Sequence, residues 1–194
     1  AFLTELRPTV ALFLRFLGID YDGDAQAGEK LNRFVSQVQV ILTRYEGSLV
    51  QLTIGDKGSY LYASFGATVA HEDDARRAAQ AALELQQMAK QLSFLQPVQI
   101  GISSGTMRVG PYGGSTRRTY GALGDDTNLA ARLMTAAVPG EVVVSGQVHK
   151  EITEQFSFEP RPPLPLKGKA EPLPVFAVIG PVSYTHLTLP TSDL

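Results

Sequence analysis

The stretch YGALGDDTNLAARL, residues 120–133, sets Asp125, Asn128 and Arg132 three and four positions apart among mainly small and apolar neighbours. On a helix starting near Gly124 these three side chains share one stripe. Leu129, Ala130, Leu133, Met134 and Ala137 then form a separate apolar face. An amide and a guanidinium one turn apart suit an anionic ligand lying along the helix, because Arg grips phosphate oxygens with two parallel donors. The same spacing also suits a solvated face on which Arg132 pairs with a carboxylate. Spacing alone leaves both open.

Other chemistries are thinly represented. The chain has no GxxxxGK[ST] loop, no GxGxxG at a strand-to-helix junction, no nucleophile elbow and no zinc motif. His71, His149 and His186 are too far apart for metal-ligand spacing, and without cysteine there is neither disulfide nor thiolate chemistry. That composition fits a reducing compartment, and a cytoplasmic location is expected. A net charge of −2 lacks the basic surplus of a nucleic-acid binder. No apolar run approaches the roughly 18–20 residues of a membrane span, and no signal peptide is visible. With 194 residues, 44% of them hydrophobic, the chain can bury one large core. It opens on Ala1 rather than Met, as a fragment or trimmed chain would.

The elements that must position the stripe follow from periodicity. Residues 9–17, TVALFLRFL, read as a strand buried on both faces. From Leu31 to Tyr45 apolar residues recur at helical spacing, and Gly47 stops that helix. SLVQLTI and SYLYASF flank Gly55, Asp56, Lys57 and Gly58, a hairpin signal. HEDDARRAAQAALELQQMAKQL is a second helix, with His71 at its start and acidic residues in its first turn. PVQIGISSG, TMRVGPYG and RRTYGAL read as strands around a glycine-rich hairpin, with Arg117 and Arg118 at its tip. The order predicts an α+β fold, a ferredoxin-like βαββαβ core enlarged by C-terminal elements. Residues 8–180 are expected to form the domain and 181–194 a disordered or non-native tail.

HEDDARRA, GISSG, YGALGDDTNLAARL, PGEVVVS and LKGKAEPLPVFAV, in this order, resemble the class III adenylyl/guanylyl cyclase catalytic domain. The resemblance covers about residues 8–180, and GDDTNLAARL is its most specific part. It implies two such domains paired head-to-tail with ATP or GTP in the cleft between them. One domain supplies two metal-binding aspartates for Mg²⁺ or Mn²⁺, and the other supplies an Asn and an Arg. Asn128 would orient the ribose, and Arg132 would stabilise charge on the α-phosphate.

The metal half departs from that pattern. The family's first metal aspartate belongs late in the first strand, where LFLRFLGID carries Arg15. A cation there cannot ligate a divalent ion and repels it. Asp20, Asp22 and Asp24 lie beyond Gly18 and are poor replacements by register. Asp56 ends a motif like that of the second metal aspartate, but falls one residue late counted from Gly47. The DKG hairpin resembles the second, metal-deficient cyclase domain of the soluble bicarbonate-responsive adenylyl cyclases. At the base-reading positions stand Gln51, able to donate and accept, and Gly121, offering only backbone. Lys167 and Lys169 match a family loop that can reach the polyphosphate, although exposed lysines in a polar loop need no such role. The resemblance thus implies the partner half of an adenylate cyclase, with metal and both aspartates on a second domain. The alternative is a non-catalytic pseudocyclase that regulates a partner domain.

Overall fold

The computed structural model describes residues 4–55, 58–114, 116, 118–165 and 171–182. Asp56, Lys57, Arg117, Lys167, Lys169, His186 and nearly all of the expected tail lie outside the described residues.

The apolar run becomes β1, Glu5–Phe16, buried from Thr9 to Leu14 and again at Phe16. It lies between two neighbours, pairing antiparallel with β3 (Ser59–Phe65) and with β4 (Gln99–Gly113). β2 (Ser48–Thr53) pairs with β3, so the first four strands lie in the order β2-β3-β1-β4. Helices α1 (Ala27–Arg44) and α2 (Asp74–Lys90) complete the βαββαβ core. The sheet continues through β6 (Val142–Ser145), parallel to β4, then β8 (Leu173–Pro181) and the outermost β7 (Phe156–Leu164). β5 (Arg118–Leu123) pairs with β4 alone. The expected fold class is the one observed.

One face of the sheet is covered by α1, α2 and α4 (Gly146–Ile152) around Leu12, Leu14, Phe16, Phe34, Leu85 and Ile100. The other carries α3 (Asp125–Ala136), the helix with the stripe. β1 can serve both because its alternate residues are apolar: Ala11 and Phe13 face α3 while Leu12 and Leu14 face α1 and α2.

Some sequence expectations need correction. GISSG and TMRVGPYG are a single strand, β4, running through Gly105 without a turn. Gly105, where the two expected strands divide, makes room for helix packing instead. α1 begins at Ala27, one turn before Leu31, and α2 begins at Asp74, leaving His71 in the preceding turn, where its amide donates to Asp74 Oδ2.

Candidate functional site

α3 is placed by three residues of one strand. Gly101, Ser103 and Gly105 alternate along β4, so all three face the helix. A Cβ at Gly101 would lie 2.9 Å from the Leu133 carbonyl carbon and nearer still to Ala130 O and Met134 N. Backbone thus rests directly on backbone. A Cβ at Gly105 would collide with the Asp126 carboxylate, which instead accepts a 2.8 Å hydrogen bond from the buried Ser103 hydroxyl. Thr127 Oγ1 contacts Met107 Sδ and the Ala122 carbonyl, both at 3.3 Å, tying the first turn to β4 and β5. No side chain caps Gly124, so these bonds, with the buried Leu129, Ala130, Leu133 and Met134, hold the helix start.

With that face committed, the stripe points outward. Asp125, Asn128 and Arg132 are exposed, and among the described residues neither Asn128 nor Arg132 has a hydrogen bond or ion pair. Among the described residues the alternative Arg132–carboxylate pair is not formed. Arg132 instead lines a shallow groove with Ala131, Thr135, Ala136 and Leu164, the last residue of β7. Lys167 and Lys169, which follow Leu164 in the sequence, lie outside the described residues.

The other sequence candidates lie on the opposite flank of α3, the side where Ala130 and Met134 pack against Phe13 and Tyr62. Phe13, Tyr62 and Gln51 are aligned across β1, β3 and β2, and the next row on the same face is Arg15, Tyr60 and Thr53. Gln51 is exposed and donates to Thr53 Oγ1 at 3.0 Å. Gly121 is buried, and the nearest atom to a Cβ there would be Val50 Cγ1 at 3.9 Å, so β5 brings it beside the Gln51 strand. The Phe13 and Tyr62 rings stack at 4.6 Å, and burial raises the Tyr62 phenol above its ordinary range while it donates to Ala122 O. The structure therefore sets Gly121 near Val50, the neighbour of Gln51 in β2, and keeps Asn128 and Arg132 one turn apart on α3. It does not gather the two sets at one place within the chain.

Residues 22–179 match the family of adenylate and guanylate cyclase catalytic domains. The chain belongs to this family. Human adenylate cyclase type 10 is 26% identical over 181 residues, 92% of this chain but 11% of that protein, so the chain spans about a tenth of the curated relative. The adenylyl cyclase CyaB from P. aeruginosa superposes with a TM-score of 0.82 at 23% identity, covering 91% of this chain and 95% of that one. The guanylate cyclase domain of RhGC from Catenaria anguillulae in complex with GTP gives 0.80 at 22%, covering 91% and 98%. The cyclase match begins only after β1, so the strand carrying Arg15 lies outside it.

In this cyclase domain the donor set around β1 does not fit a divalent ion. Arg15 lies against Gly58, where a Cβ would come within 2.9 Å of its Nε, so the guanidinium occupies the space between the end of β1 and the β2–β3 hairpin. Asp20 accepts from the Asp22 and Gly23 amides, and Asp24 is tied to Lys30 and the Gln26 amide. The Lys30 hydrogen bond is the main reason the Asp24 carboxyl titrates below its usual range. Among the described residues no group of three or more His, Asp or Glu could hold a metal. β2 carries a bulge between Leu49 and Gln51, one residue more than the β3 segment it faces.

Sequence reasoning missed Ser103, Asp126 and Leu164. The alternation Gly-x-Ser-x-Gly was the available signal for the first two: small residues at every second position mark a strand face on which something packs closely. Leu164 had no local signal, since only the return of β7 brings it to Arg132.

Proposed function

We propose that this cyclase domain, spanning residues 8–180, is the metal-deficient partner half of a two-domain nucleotide cyclase that converts ATP to 3′,5′-cyclic AMP and pyrophosphate. One observation carries the proposal. Asn128 and Arg132 are held exposed and, among the described residues, unpartnered on a rigidly seated helix, while Arg15 and Gln51 stand on its other flank. A site using both kinds of residue is therefore completed by a second domain, and that domain supplies the carboxylates that Arg15 precludes here.

In the assembled site the substrate's 3′-oxygen attacks the α-phosphorus, a new O–P bond forms, and the bond to the pyrophosphate oxygen breaks. Mg²⁺ or Mn²⁺ belongs to the partner domain. This chain positions and stabilises. Asn128 holds the ribose so that its 3′-hydroxyl faces the phosphate. Arg132 meets the negative charge that grows on the α-phosphate oxygens, with Lys169 assigned to the phosphates beyond. Gln51 and Gly121 are assigned to the purine. Adenine is favoured by the relation to adenylate cyclase type 10.

The regulatory alternative has Arg15 in its favour, since a cation in the metal position suits a pseudocyclase. The exposed Asn128 and Arg132 pair weighs against it, because a scaffold has no use for a guanidinium left without a partner among the described residues. The test mixes this domain with a cyclase domain carrying both aspartates and measures cyclic AMP. Arg132→Ala should lower kcat by about 10²–10³ with little change in KM. Arg132→Lys should rescue only part, because a point charge lacks the planar two-donor fork. Unchanged turnover in a verified active pair would leave the stripe as solvated surface and favour the regulatory reading.

A further inference from the structure

A cavity of about 380 Å³ lies on the face of the sheet opposite α3, where β1, the first turn of α2, β4 and the end of α4 meet. Its floor is buried: Val10 and Ala75 belong to the main core, and Asp74 is 7% exposed. Its rim is exposed, at Pro8, Glu72 and Glu151. The walls are mainly apolar, and among the described residues no Lys or Arg lines them. Apart from His71, the titratable groups of the cavity are carboxylates.

Asp74 is the anomaly. Its Oδ2 accepts the His71 amide at 2.9 Å, but its Oδ1, also buried, has no hydrogen-bond partner. Burial pushes this carboxyl above its ordinary range, and the His71 amide offsets only part of that. The basic groups beside it are engaged elsewhere. Arg77 holds Asp73 at 2.7 Å and Glu46 at 2.9 Å, and the His71 ring lies 2.6 Å from Glu46. Glu151 accepts only from neutral donors, Ser104 Oγ at 3.0 Å and Gln147 Nε2 at 2.8 Å. Glu72 has no partner among the described residues. An acid in the first turn of α2 complements the helix dipole, and one water satisfies one oxygen. Neither accounts for three carboxylates around one cavity, none of them ion-paired among the described residues.

The spread of these groups selects the ligand. Among the described residues no three His, Asp or Glu could hold a metal ion, so a bare divalent cation does not fit. A quaternary ammonium is read by aromatic faces, and no described Phe or Tyr lines the cavity. Acceptors at floor and rim, separated by apolar wall, suit primary ammonium groups joined by methylenes. We propose that this cavity is a binding site for an aliphatic polyamine, with one ammonium donating to Asp74 Oδ1 and another held between Glu72 and Glu151. Both contacts are charge-assisted, the stronger class of hydrogen bond.

The test needs no cyclase activity, so its failure is separate from failure of the proposed function. The ¹⁵N-labelled chain is titrated with putrescine and spermidine, and in parallel with butanediol and with NaCl at matched ionic strength. Saturable shifts are expected from the two amines alone, centred on residues 70–75, Ser104 and Glu151. Asp74→Asn keeps the shape and removes the charge, and Glu72→Gln with Glu151→Gln does the same at the rim. Each should weaken binding by about tenfold or more. The rim pair, being exposed, carries the test if Asp74→Asn fails to fold. Three results overturn the proposal: no saturable shift up to about 10 mM amine, equal shifts from NaCl, or amine binding that survives the substitutions. In each case Asp74 Oδ1 is satisfied by water only, and the rim carboxylates are solvated surface.

Discussion

Adding one methyl group at Gly101 tests whether α3 owes its position to the bare strand beneath it. A Cβ there would sit 2.9 Å from the Leu133 carbonyl carbon and closer to Ala130 O and Met134 N, all backbone atoms that cannot rotate away. Ordinary carbon contacts lie at about 3.5–4.0 Å, so the helix has to lift by about 1 Å or the strand has to sink. Either movement strains packing around Ala130, Leu133 and Met134, at most 7% exposed, and overpacking of this kind costs about 1–3 kcal/mol. For a chain of this size that is roughly a 2–12 °C fall in Tm. Gly28→Ala is the matched control: nothing lies within 4 Å of its Cβ position and it sits in the first turn of α1, so a gain of about 0.5–1 kcal/mol is expected. Differential scanning calorimetry of the two variants gives opposite signs if the reasoning holds. In an active cyclase pair, Gly101→Ala should also cost about 10²-fold in turnover, because a displacement near 1 Å carries Asn128 and Arg132 with it. A Gly101→Ala chain with wild-type Tm would refute the close-packing account.

Leu133→Ala should destabilise by about 2.7–5 kcal/mol, since Leu133 is fully buried under α3, whereas Asn128→Ala should stay within about 0.5 kcal/mol in the same denaturation assay. The Asp73 carboxyl is held down to about 2, first by the Arg76 hydrogen bond and then by that of Arg77. Its contribution is therefore present above the unfolded value of 3.8 and lost as pH falls toward about 2. Asp73→Asn should cost less than about 1 kcal/mol near neutrality, given the solvent screening of a surface site, and the gap to wild type should close between pH 4 and 2 in acid unfolding curves. On the proposed partner-half reading, in which Arg15 takes the place of a metal carboxylate, the isolated domain should make negligible cyclic nucleotide with Mg²⁺ or Mn²⁺; robust product from purified chain would sink that reading. Exposed Leu52, Ile54, Tyr120 and Leu123 should drive self-association at high concentration, read by analytical ultracentrifugation, and a strictly monomeric chain would count against a domain built to pair.

What the sequence determined by itself was local and periodic. The continuous apolar run of β1 and the helical spacing in α1, α2 and α3 pointed to the elements, since burial on both faces and burial of one stripe leave different patterns. The separation of Leu129, Ala130, Leu133 and Met134 from Asn128 and Arg132 followed from the same rule, so the outward stripe was legible without coordinates. The departure at Arg15 was legible too, because charge type is written at every position. Tertiary structure decided what depends on residues distant in the chain. Gly105 stood at the division between two expected strands until α3 was seen lying on it, since a missing Cβ means a turn or a close approach depending on what crosses it. The groove at Arg132 exists because β7 returns Leu164 to α3 from more than thirty positions later. The division of Gln51 and Arg132 between two flanks of one helix is likewise a matter of sheet order, and no local pattern encodes which strands the helix will cross.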